Sequence, residues 1–190
     1  ENGGKALIFS SYSETDLPNF DSILENYGVQ RKSGMVVESD SDYYYPQMPY
    51  VLLPEIQSND ITEEVQDSYI IAPMAQAIVP LDSYRDSITI ESLLTTTEEA
   101  YIEADPENST WTKSEDSETG AFDVGVSITE TVDDKETQIV YFSSLNMMAE
   151  QFDTAVSGAN SELVMGALND MCQVEETVSV PTKSLEYTSL

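Results

Sequence analysis

The chain has no histidine and a single cysteine, Cys172, among its 190 residues. Without histidine, neither a Ser-His-Asp triad nor a Cys-His pair can be assembled, and zinc sites that use histidine are excluded. One cysteine forms neither an internal disulfide nor an all-cysteine zinc site. The sequence therefore argues against the commonest nucleophilic and zinc chemistries.

Basic residues are also scarce. Seven Lys and Arg stand against 36 Asp and Glu, which gives a formal net charge of −29. Binding to nucleic acid or to an anionic lipid surface needs clustered Lys and Arg, and the sequence holds no such cluster. An acidic surface keeps a domain soluble, and adaptation to high salt gives a similar composition. No apolar run approaches the roughly 20 residues of a transmembrane helix, and no signal peptide is visible.

The hydrophobic content is nevertheless sufficient for a core. Leu, Ile, Val and Phe make up about 24% of the chain, above the roughly 20% below which strongly charged chains stay disordered, and 11 Tyr add to the core. We expect one α/β domain over residues 1–175, followed by a C-terminal extension over 176–190. Within the domain, the acidic and polar stretch 98–120 is expected to form an exposed excursion.

Hydrophobic periodicity predicts the order of the elements. Residues 5–10 are predicted to form a compact apolar strand, and residues 17–28 an amphipathic helix. Asp16 is expected to be the N-cap of this helix, and Gly28 is expected to end it by adopting a left-handed backbone conformation. Another strand follows at 35–37, and strand, helix and strand over so short a span is typical of a mostly parallel sheet flanked by helices. Further strands are expected at 87–95, 122–129 and 138–145, and a further helix at 161–172.

Several stretches of the chain, taken in order, resemble one known family. They are GGKALIFSSY, DLPNFDSILENYGVQRKSGMVVESD, SITIESLLTTTEEAYIE, and QIVYFSSLNMMAEQF followed by SGANSELVMGALNDM. They are similar to a Gly-Gly-Lys first strand, a helix ending in a Tyr-Gly-Val turn, a strand ending in Leu-Leu-Thr-Thr, and a last strand with its Gly-x-Asn turn and helix. These features resemble the extracytoplasmic domain of the ABC-transporter auxiliary family, the GldG-like proteins associated with gliding-motility-type transport systems.

The resemblance implies a fold similar to the class I glutamine amidotransferases, which is a flavodoxin-like arrangement. Family members usually lack the catalytic apparatus of that fold, and they accompany an ABC permease and ATPase. The resemblance thus implies a non-enzymatic domain without a cofactor at the extracytoplasmic face of a bacterial membrane. Its partners would be the permease and ATPase subunits, a partner auxiliary subunit or transported cargo. The extension at 176–190 would lead towards a membrane helix outside this chain.

Cys172 is the obvious candidate nucleophile in an amidotransferase-like fold. No histidine is present to hold its thiolate, and helical spacing places Cys172 on the apolar face of its helix, which favours a core position. Ser10, Ser11, Ser143 and Ser144 follow strands, as nucleophilic serines do in α/β hydrolases, but no G-x-S-x-G motif surrounds them. We therefore expect no catalytic residue among them.

The acidic loops leave a second interpretation open. Glu38, Asp40 and Asp42 lie close together in sequence, and carboxylates are ligands that Ca²⁺ prefers. This run lacks the glycine and the distal glutamate of an EF-hand loop, so a solvated acidic loop is the competing interpretation. The alternative function is accordingly a secreted Ca²⁺- or carbohydrate-binding module. A third candidate function is a glycoside hydrolase that uses two carboxylic acid side chains, because two carboxylates suffice for glycoside hydrolysis.

Two further features suggest contacts. Tyr43, Tyr44 and Tyr45 lie in a proline-rich loop and could form a protein-contact surface, since tyrosine is favoured at interfaces. Packing of these rings back onto the core is the alternative. Asn160 falls in the stretch that resembles the Gly-x-Asn turn, and an asparagine ahead of an amphipathic helix favours an N-cap.

Overall fold

The computed structural model describes residues 3–172, so the predicted extension at 176–190 lies outside the described residues. The helices are α1 Pro18–Asn26, α2 Glu150–Ala155 and α3 Ala159–Cys172, with 3-10 helices at Asp60–Val65 and Leu145–Met148. The strands are β1 Gly4–Phe9, β2 Val29–Arg31, β3 Met35–Val37, β4 Tyr44–Tyr45, β5 Met48–Leu52, β6 Glu55–Ile56, β7 Ala72–Pro73, β8 Ile78–Pro80, β9 Ile88–Thr95, β10 Tyr101–Glu103, β11 Asp123–Val132 and β12 Lys135–Phe142. Within 3–172, no helix is both long and apolar enough to cross a bilayer.

The main sheet is mixed. Its strand order is β1-β12-β11-β8-β2, with β9 pairing β11 and β6 pairing β9. Among the described strand pairs, β1 with β12 is the one parallel pair, and the other pairs are antiparallel. Strand accounts for 33% of the structure and helix for 23%, so the fold is α/β with a mainly sheet core. The predicted mostly parallel, flavodoxin-like sheet flanked by helices is not confirmed.

The connections explain the mixed sheet. Strand β1 precedes α1 as predicted, but the strand predicted at 35–37 is β3, which pairs β10 in a separate two-stranded sheet. Strand β2 follows α1 directly and pairs β8, whereas β1 pairs β12, so β1 and β2 are not neighbours. Asp133 and Asp134 join β11 to β12 with φ angles of 50° and 61°, as a two-residue hairpin turn requires. Strands joined by so short a turn are necessarily antiparallel, which places an antiparallel pair beside β1.

Two hydrophobic clusters form the core. The larger joins Phe142 of β12 with Leu163 of α3, and the smaller joins Leu24 of α1 with Ile128 and Tyr141 of the sheet. Neighbouring residues of β12 belong to different clusters because successive side chains of a strand point to opposite faces. The two faces of the sheet are therefore both buried.

The start of α1 differs from the prediction, whereas its end agrees. The N-cap residue is Leu17, which makes no side-chain capping bond, and Pro18 follows it. The prediction of Asp16 as N-cap is therefore wrong. Proline at the first helical position has no N–H and leaves one donor fewer to cap. Gly28 has a φ of 85° and lies just after the C-cap Tyr27, as expected for a left-handed helix stop.

Part of the predicted excursion at 98–120 is buried. Ala100 and Tyr101 are almost fully enclosed, and β10 pairs antiparallel with β3 through Tyr101 opposite Val37. Strand β10 was not predicted because the residues around it in the sequence are mostly acidic or polar. Most of the residues from 104 to 119 are exposed or half-buried, in agreement with the prediction for the rest of this stretch.

Cys172 is exposed at the end of α3, so the predicted core position is wrong. The helix buries Leu163, Val164, Ala167 and Met171. These residues recur at the spacing of one helical face, and Cys172 lies about 100° further round the helix than Met171.

Candidate functional site

The candidate site lies at the carboxyl ends of β1 and β12. Because these strands are parallel, Ser10 after β1 and Ser143 after β12 leave the sheet at the same edge. Ligands of open α/β sheets bind outside the carboxyl ends of the strands. We therefore expect a ligand or partner to bind at the loops of this edge.

The serines at this edge hold the loops in place. Ser144 Oγ donates to the carbonyl of Pro73 at 2.6 Å, and Ser143 Oγ donates to the carbonyl of Val124 at 3.3 Å. Both serines are buried. Their hydroxyls are occupied by backbone, and no histidine exists to activate them.

Ser10 and Ser11 are tied to β12 and the residues after it. Ser10 Oγ lies 2.7 Å from the hydroxyl of buried Tyr141, and Ser11 Oγ accepts the N–H of Leu145 at 3.3 Å. Burial of the phenol raises the pKa of Tyr141 to about 12, which keeps Tyr141 protonated at neutral pH. These contacts fix the β1 loop against the residues that follow β12.

Asn160 is a tertiary bridge and not a cap. Its side chain is fully buried, and its Nδ2 donates to the carbonyls of Ile71 at 2.9 Å and Met147 at 2.7 Å. Its Oδ1 accepts the N–H of Ile71 at 3.0 Å. Instead, the Asp153 carboxylate accepts the backbone N–H of Ser161 at 2.9 Å and so serves the first turn of α3. The prediction of an Asn160 N-cap is wrong.

The start of α3 explains this difference. Ser157 and Gly158 have φ angles of 59° and 92°, so the chain reverses there and the helix already begins at Ala159. Asn160 therefore lies inside the first turn, on the same face as Leu163 and Val164. Its amide points into the core, where it holds the 71–73 segment beneath the candidate site.

A groove opens beside these loops, and we call it the apolar groove. Its volume is about 500 Å³. Tyr45 and Met48 in its wall are 41% and 40% exposed, so two large side chains present apolar surface together in one groove. The groove is lined by Tyr45, Met48, Tyr50, Val51, Pro73, Met74, Asn146, Ala149, Gln151, Phe152 and Ala155.

A second cavity shares Tyr50 and Met74 with the apolar groove, and we call it the aromatic pocket. Its volume is about 530 Å³. The rings of Tyr50 and Trp111 lie 4.7 Å apart between centroids at an angle of 38°. The pocket is lined by Tyr12, Ser13, Glu14, Met35, Tyr50, Met74, Pro106, Glu107 and Trp111.

The predicted tyrosine surface is divided by the structure. Tyr45 lines the apolar groove, whereas Tyr43 and Tyr44 do not. Tyr43 and Tyr44 are half-buried, and Tyr44 pairs with Leu52 of β5. The Glu55 carboxylate, as the main cause, raises the pKa of Tyr43. A contact role for the three tyrosines remains a prediction, with Tyr45 as the best placed.

The acidic candidates Glu38, Asp40 and Asp42 form a structural turn. Glu38 is buried, and its carboxylate accepts the backbone N–H groups of Ser39, Asp40 and Thr97 at 2.8, 3.1 and 3.1 Å and the Thr97 hydroxyl at 3.0 Å. Asp40 Oδ1 accepts the N–H of Asp42. Within 3–172, no group of three or more acidic or cysteine side chains is arranged to hold a metal ion.

A third cavity, of about 620 Å³, lies over a polar part of the sheet. Its lining includes Glu91, Ser127 and Gln138, and the Gln138 amide donates to Asp170 Oδ2 at 2.6 Å. Lys5 Nζ also donates a hydrogen bond to Gln138 Oε1 at 3.3 Å. Lys5, Gln138 and Asp170 are thus linked by hydrogen bonds across the sheet surface, and none of the described residues that line the cavity has an aromatic ring on which a sugar could stack.

Sequence reasoning missed Trp111, Met74 and Phe152 as residues of these cavities. Trp111 was visible only as the largest hydrophobe of an acidic stretch. Its status as the single Trp of the chain was the available signal. Met74 and Phe152 lie in segments whose proximity depends on the whole fold, so no local pattern revealed them.

The sequence matches no family model and no curated protein. Among solved structures, the mmIFT52 N-terminal domain is similar, with a TM-score of 0.62 and 14% sequence identity. The similarity covers 93% of this chain and 68% of that chain. At this identity the likeness concerns the fold. The chain therefore shares its fold with the IFT52 N-terminal domain.

Proposed function

We propose that this chain is a non-catalytic, extracytoplasmic domain of an ABC-transporter auxiliary subunit and contacts another subunit of the transporter through the apolar groove. The observation that carries the proposal is the exposure of Tyr45 and Met48 beside the loops at the carboxyl ends of β1 and β12. Asn146, Ala149 and Phe152 of the groove belong to the stretch QIVYFSSLNMMAEQF, which resembles the GldG-like family.

The chemistry of the groove suggests the kind of surface that fits it. Aromatic residues and methionine are enriched in protein interfaces, and the groove presents both. The chain around it has a net charge of −29, and complementary charge favours association. The partner surface would therefore present an apolar centre with a basic rim.

The absence of a catalytic role is supported by the residues that an amidotransferase would use. Cys172 lies exposed at the end of α3 and belongs to the lining of neither the apolar groove nor the aromatic pocket. The chain has no histidine to activate a thiol. Buried Ser143 and Ser144 are hydrogen-bonded to backbone carbonyls.

Site-specific photo-crosslinking tests the proposed contact. A photoreactive residue at Met48, in cells that make the whole transporter, should crosslink to a permease or auxiliary subunit. The same residue at Tyr84, which is exposed but outside the groove, should give little product. Met48→Glu should weaken the complex and Tyr84→Glu should not. Equal crosslinking from both positions, or none from Met48, would contradict the proposal.

The single exposed cysteine tests the proposed location. A membrane-impermeant maleimide should label Cys172 in intact cells, because its thiol is accessible in the folded domain. Cys172→Ser is the matched control and should remove the label. Labelling that requires lysis of the cells would place the domain on the other side of the membrane.

A further inference from the structure

The aromatic pocket has a different character from the apolar groove. Three aromatic rings, Tyr12, Tyr50 and Trp111, line one cavity together with the carboxylates Glu14 and Glu107. No lysine or arginine is among the described residues that line it. The faces of aromatic rings and the oxygens of carboxylates are both negative, so they favour a positively charged ligand.

Trp111 is held in this pocket by a chain of hydrogen bonds. Ser109 Oγ accepts the Trp111 backbone N–H at 2.8 Å and donates to Glu103 Oε2 at 2.6 Å. Glu103 belongs to β10 and pairs with Met35 of β3, which itself lines the pocket. The backbone of Trp111 is therefore anchored to the fold through Glu103, and its ring lies against the ring of Tyr50.

The backbone of the pocket is strained at two of its lining residues. Trp111 and Met74 both have a φ of 55°, in the left-handed region that side chains of this size rarely adopt. Such conformations persist only where the surrounding structure imposes them, and they concentrate at ligand sites. Of the two strained residues, Trp111 lines this pocket and not the apolar groove, whereas Met74 lines both.

Carboxylates lie near Tyr12 of the pocket. Burial, and then the carboxylates of Glu14, Glu107 and Asp105, raise the pKa of Tyr12. These carboxylates are therefore close enough to act on a charge at the Tyr12 hydroxyl. The same field that disfavours a phenolate would attract a cation.

We infer that the aromatic pocket binds a small organic cation that carries a quaternary ammonium group. Such a group is weakly hydrated and is attracted to aromatic rings, and three rings, Tyr12, Tyr50 and Trp111, line the pocket. A volume of about 530 Å³ is in the range of small-molecule sites. The inference goes beyond the proposed function and concerns a different cavity.

The single Trp gives a direct measurement. Because Trp111 is the one tryptophan of the chain, its fluorescence reports on this pocket alone. Titration with choline at constant ionic strength should give a saturable change. The uncharged isostere of choline, with carbon in place of the quaternary nitrogen, should bind at least about tenfold more weakly. Equal responses to both, or a response to choline that does not saturate, would overturn the inference.

Variants connect the binding to the named residues. Tyr12→Leu and Glu107→Gln should each weaken choline binding about three- to tenfold, whereas Tyr84→Leu and Glu64→Gln should leave it unchanged. Thermal melting confirms that each variant is folded. Wild-type affinity in the first two variants would contradict the assignment.

A lysine-containing peptide distinguishes a small ligand from a protein side chain. The peptide should bind more weakly than choline, because the lysine ammonium is strongly hydrated and the rings cannot replace its hydration shell. Tighter binding of the peptide would overturn the small-ligand assignment. The crosslinking from Met48 tests the apolar groove separately, so the two proposals fail independently.

Discussion

Asn160 pairs with Ile71 as one strand pairs with another. The Asn160 amide donates to the Ile71 carbonyl and accepts the Ile71 N–H, at 2.9 and 3.0 Å. Ile71 directly precedes β7, and Met147 receives a further bond from the same amide. One buried side chain on α3 thus fixes both the residue before β7 and the 3-10 helix Leu145–Met148 at the candidate site.

Asn160→Ala should lower the free energy of unfolding by about 3 kcal/mol. The substitution leaves buried N–H and C=O groups without partners, and each unsatisfied group costs about 1–3 kcal/mol. Urea unfolding measures the loss. Asn108→Ala, at an exposed position, should change the free energy by less than about 0.5 kcal/mol. A loss at Asn160 no larger than at Asn108 would contradict the role of the bridge.

Glu38→Gln should destabilise the domain by about 1–3 kcal/mol. The carboxylate accepts four hydrogen bonds from Ser39, Asp40 and Thr97. In glutamine an NH₂ group replaces one of the two oxygens, and it would face some of these N–H and O–H groups without being able to accept their hydrogen bonds. Asp42→Asn, at an exposed position, is the control and should have little effect. Unfolding curves that coincide for the two variants would exclude this role of Glu38.

Millimolar calcium chloride should leave the melting temperature unchanged, because the Glu38 oxygens already accept hydrogen bonds from the protein. Ligand at 100 times its dissociation constant would add about 2.7 kcal/mol. A rise of several degrees that Asp42→Asn abolishes would therefore support the Ca²⁺-binding alternative.

Gly166→Ala should destabilise the domain although alanine favours helix. A Cβ at Gly166 would overlap the carbonyl oxygen of Ile61 in the neighbouring 3-10 helix. Overpacking of this kind costs about 1–3 kcal/mol, against a gain of about 1 kcal/mol in helix propensity. Gly4→Ala has open space around its Cβ and serves as the control in thermal melting. A higher melting temperature for Gly166→Ala would show that α3 moves away freely.

Glu130 should make the stability depend on pH. Its hydrogen bonds to Arg85, as the main cause, lower the pKa of Glu130. A lowered pKa in the folded state gives stability that is present above the pKa of the unfolded chain and is lost as the pH falls through the folded value. Between about pH 5 and pH 3, wild-type stability should fall more steeply than that of Glu130→Gln. Glu64→Gln should keep the wild-type slope, and equal slopes for all three would contradict the coupling.

The purified chain should release no ammonia from glutamine, and Cys172→Ser should change the free energy of unfolding by less than about 0.5 kcal/mol. Cys172 is exposed, and the chain contains no histidine. A colorimetric ammonia assay and urea unfolding test the two expectations. Ammonia release that disappears in Cys172→Ser would overturn the non-catalytic assignment.

Elements governed by local signals could be predicted from the sequence. The strand at 87–95 agrees with β9, and Asp133 and Asp134 form the turn between the strands predicted at 122–129 and 138–145. The alternation of apolar and polar side chains in a strand, and the residue preference of a turn, depend on residues only a few positions apart. These elements can therefore be predicted from the sequence without knowing the fold. The helix stop at Gly28 was predictable for the same reason.

Partners distant in sequence could not be predicted. The side chain of Asn160 has the chemistry of a cap, and only the packing of α3 against Ile71 makes it a bridge. The pairing of β1 with β12 is equally nonlocal, and a strand, helix and strand pattern does not state which strands become neighbours. The aromatic pocket unites Tyr12, Tyr50 and Trp111 from three separate segments, so it exists only in the folded chain.

The parallel pair of β1 and β12 also sets the order in which the chain can fold. Ser10 and its partner Tyr141 are 131 positions apart, and contacts of such long range slow folding because a large loop must close first. During synthesis, β1 emerges first and yet has no β12 to pair with until Phe142 has followed. The loops of the candidate site therefore form late, when nearly all of the described chain is available.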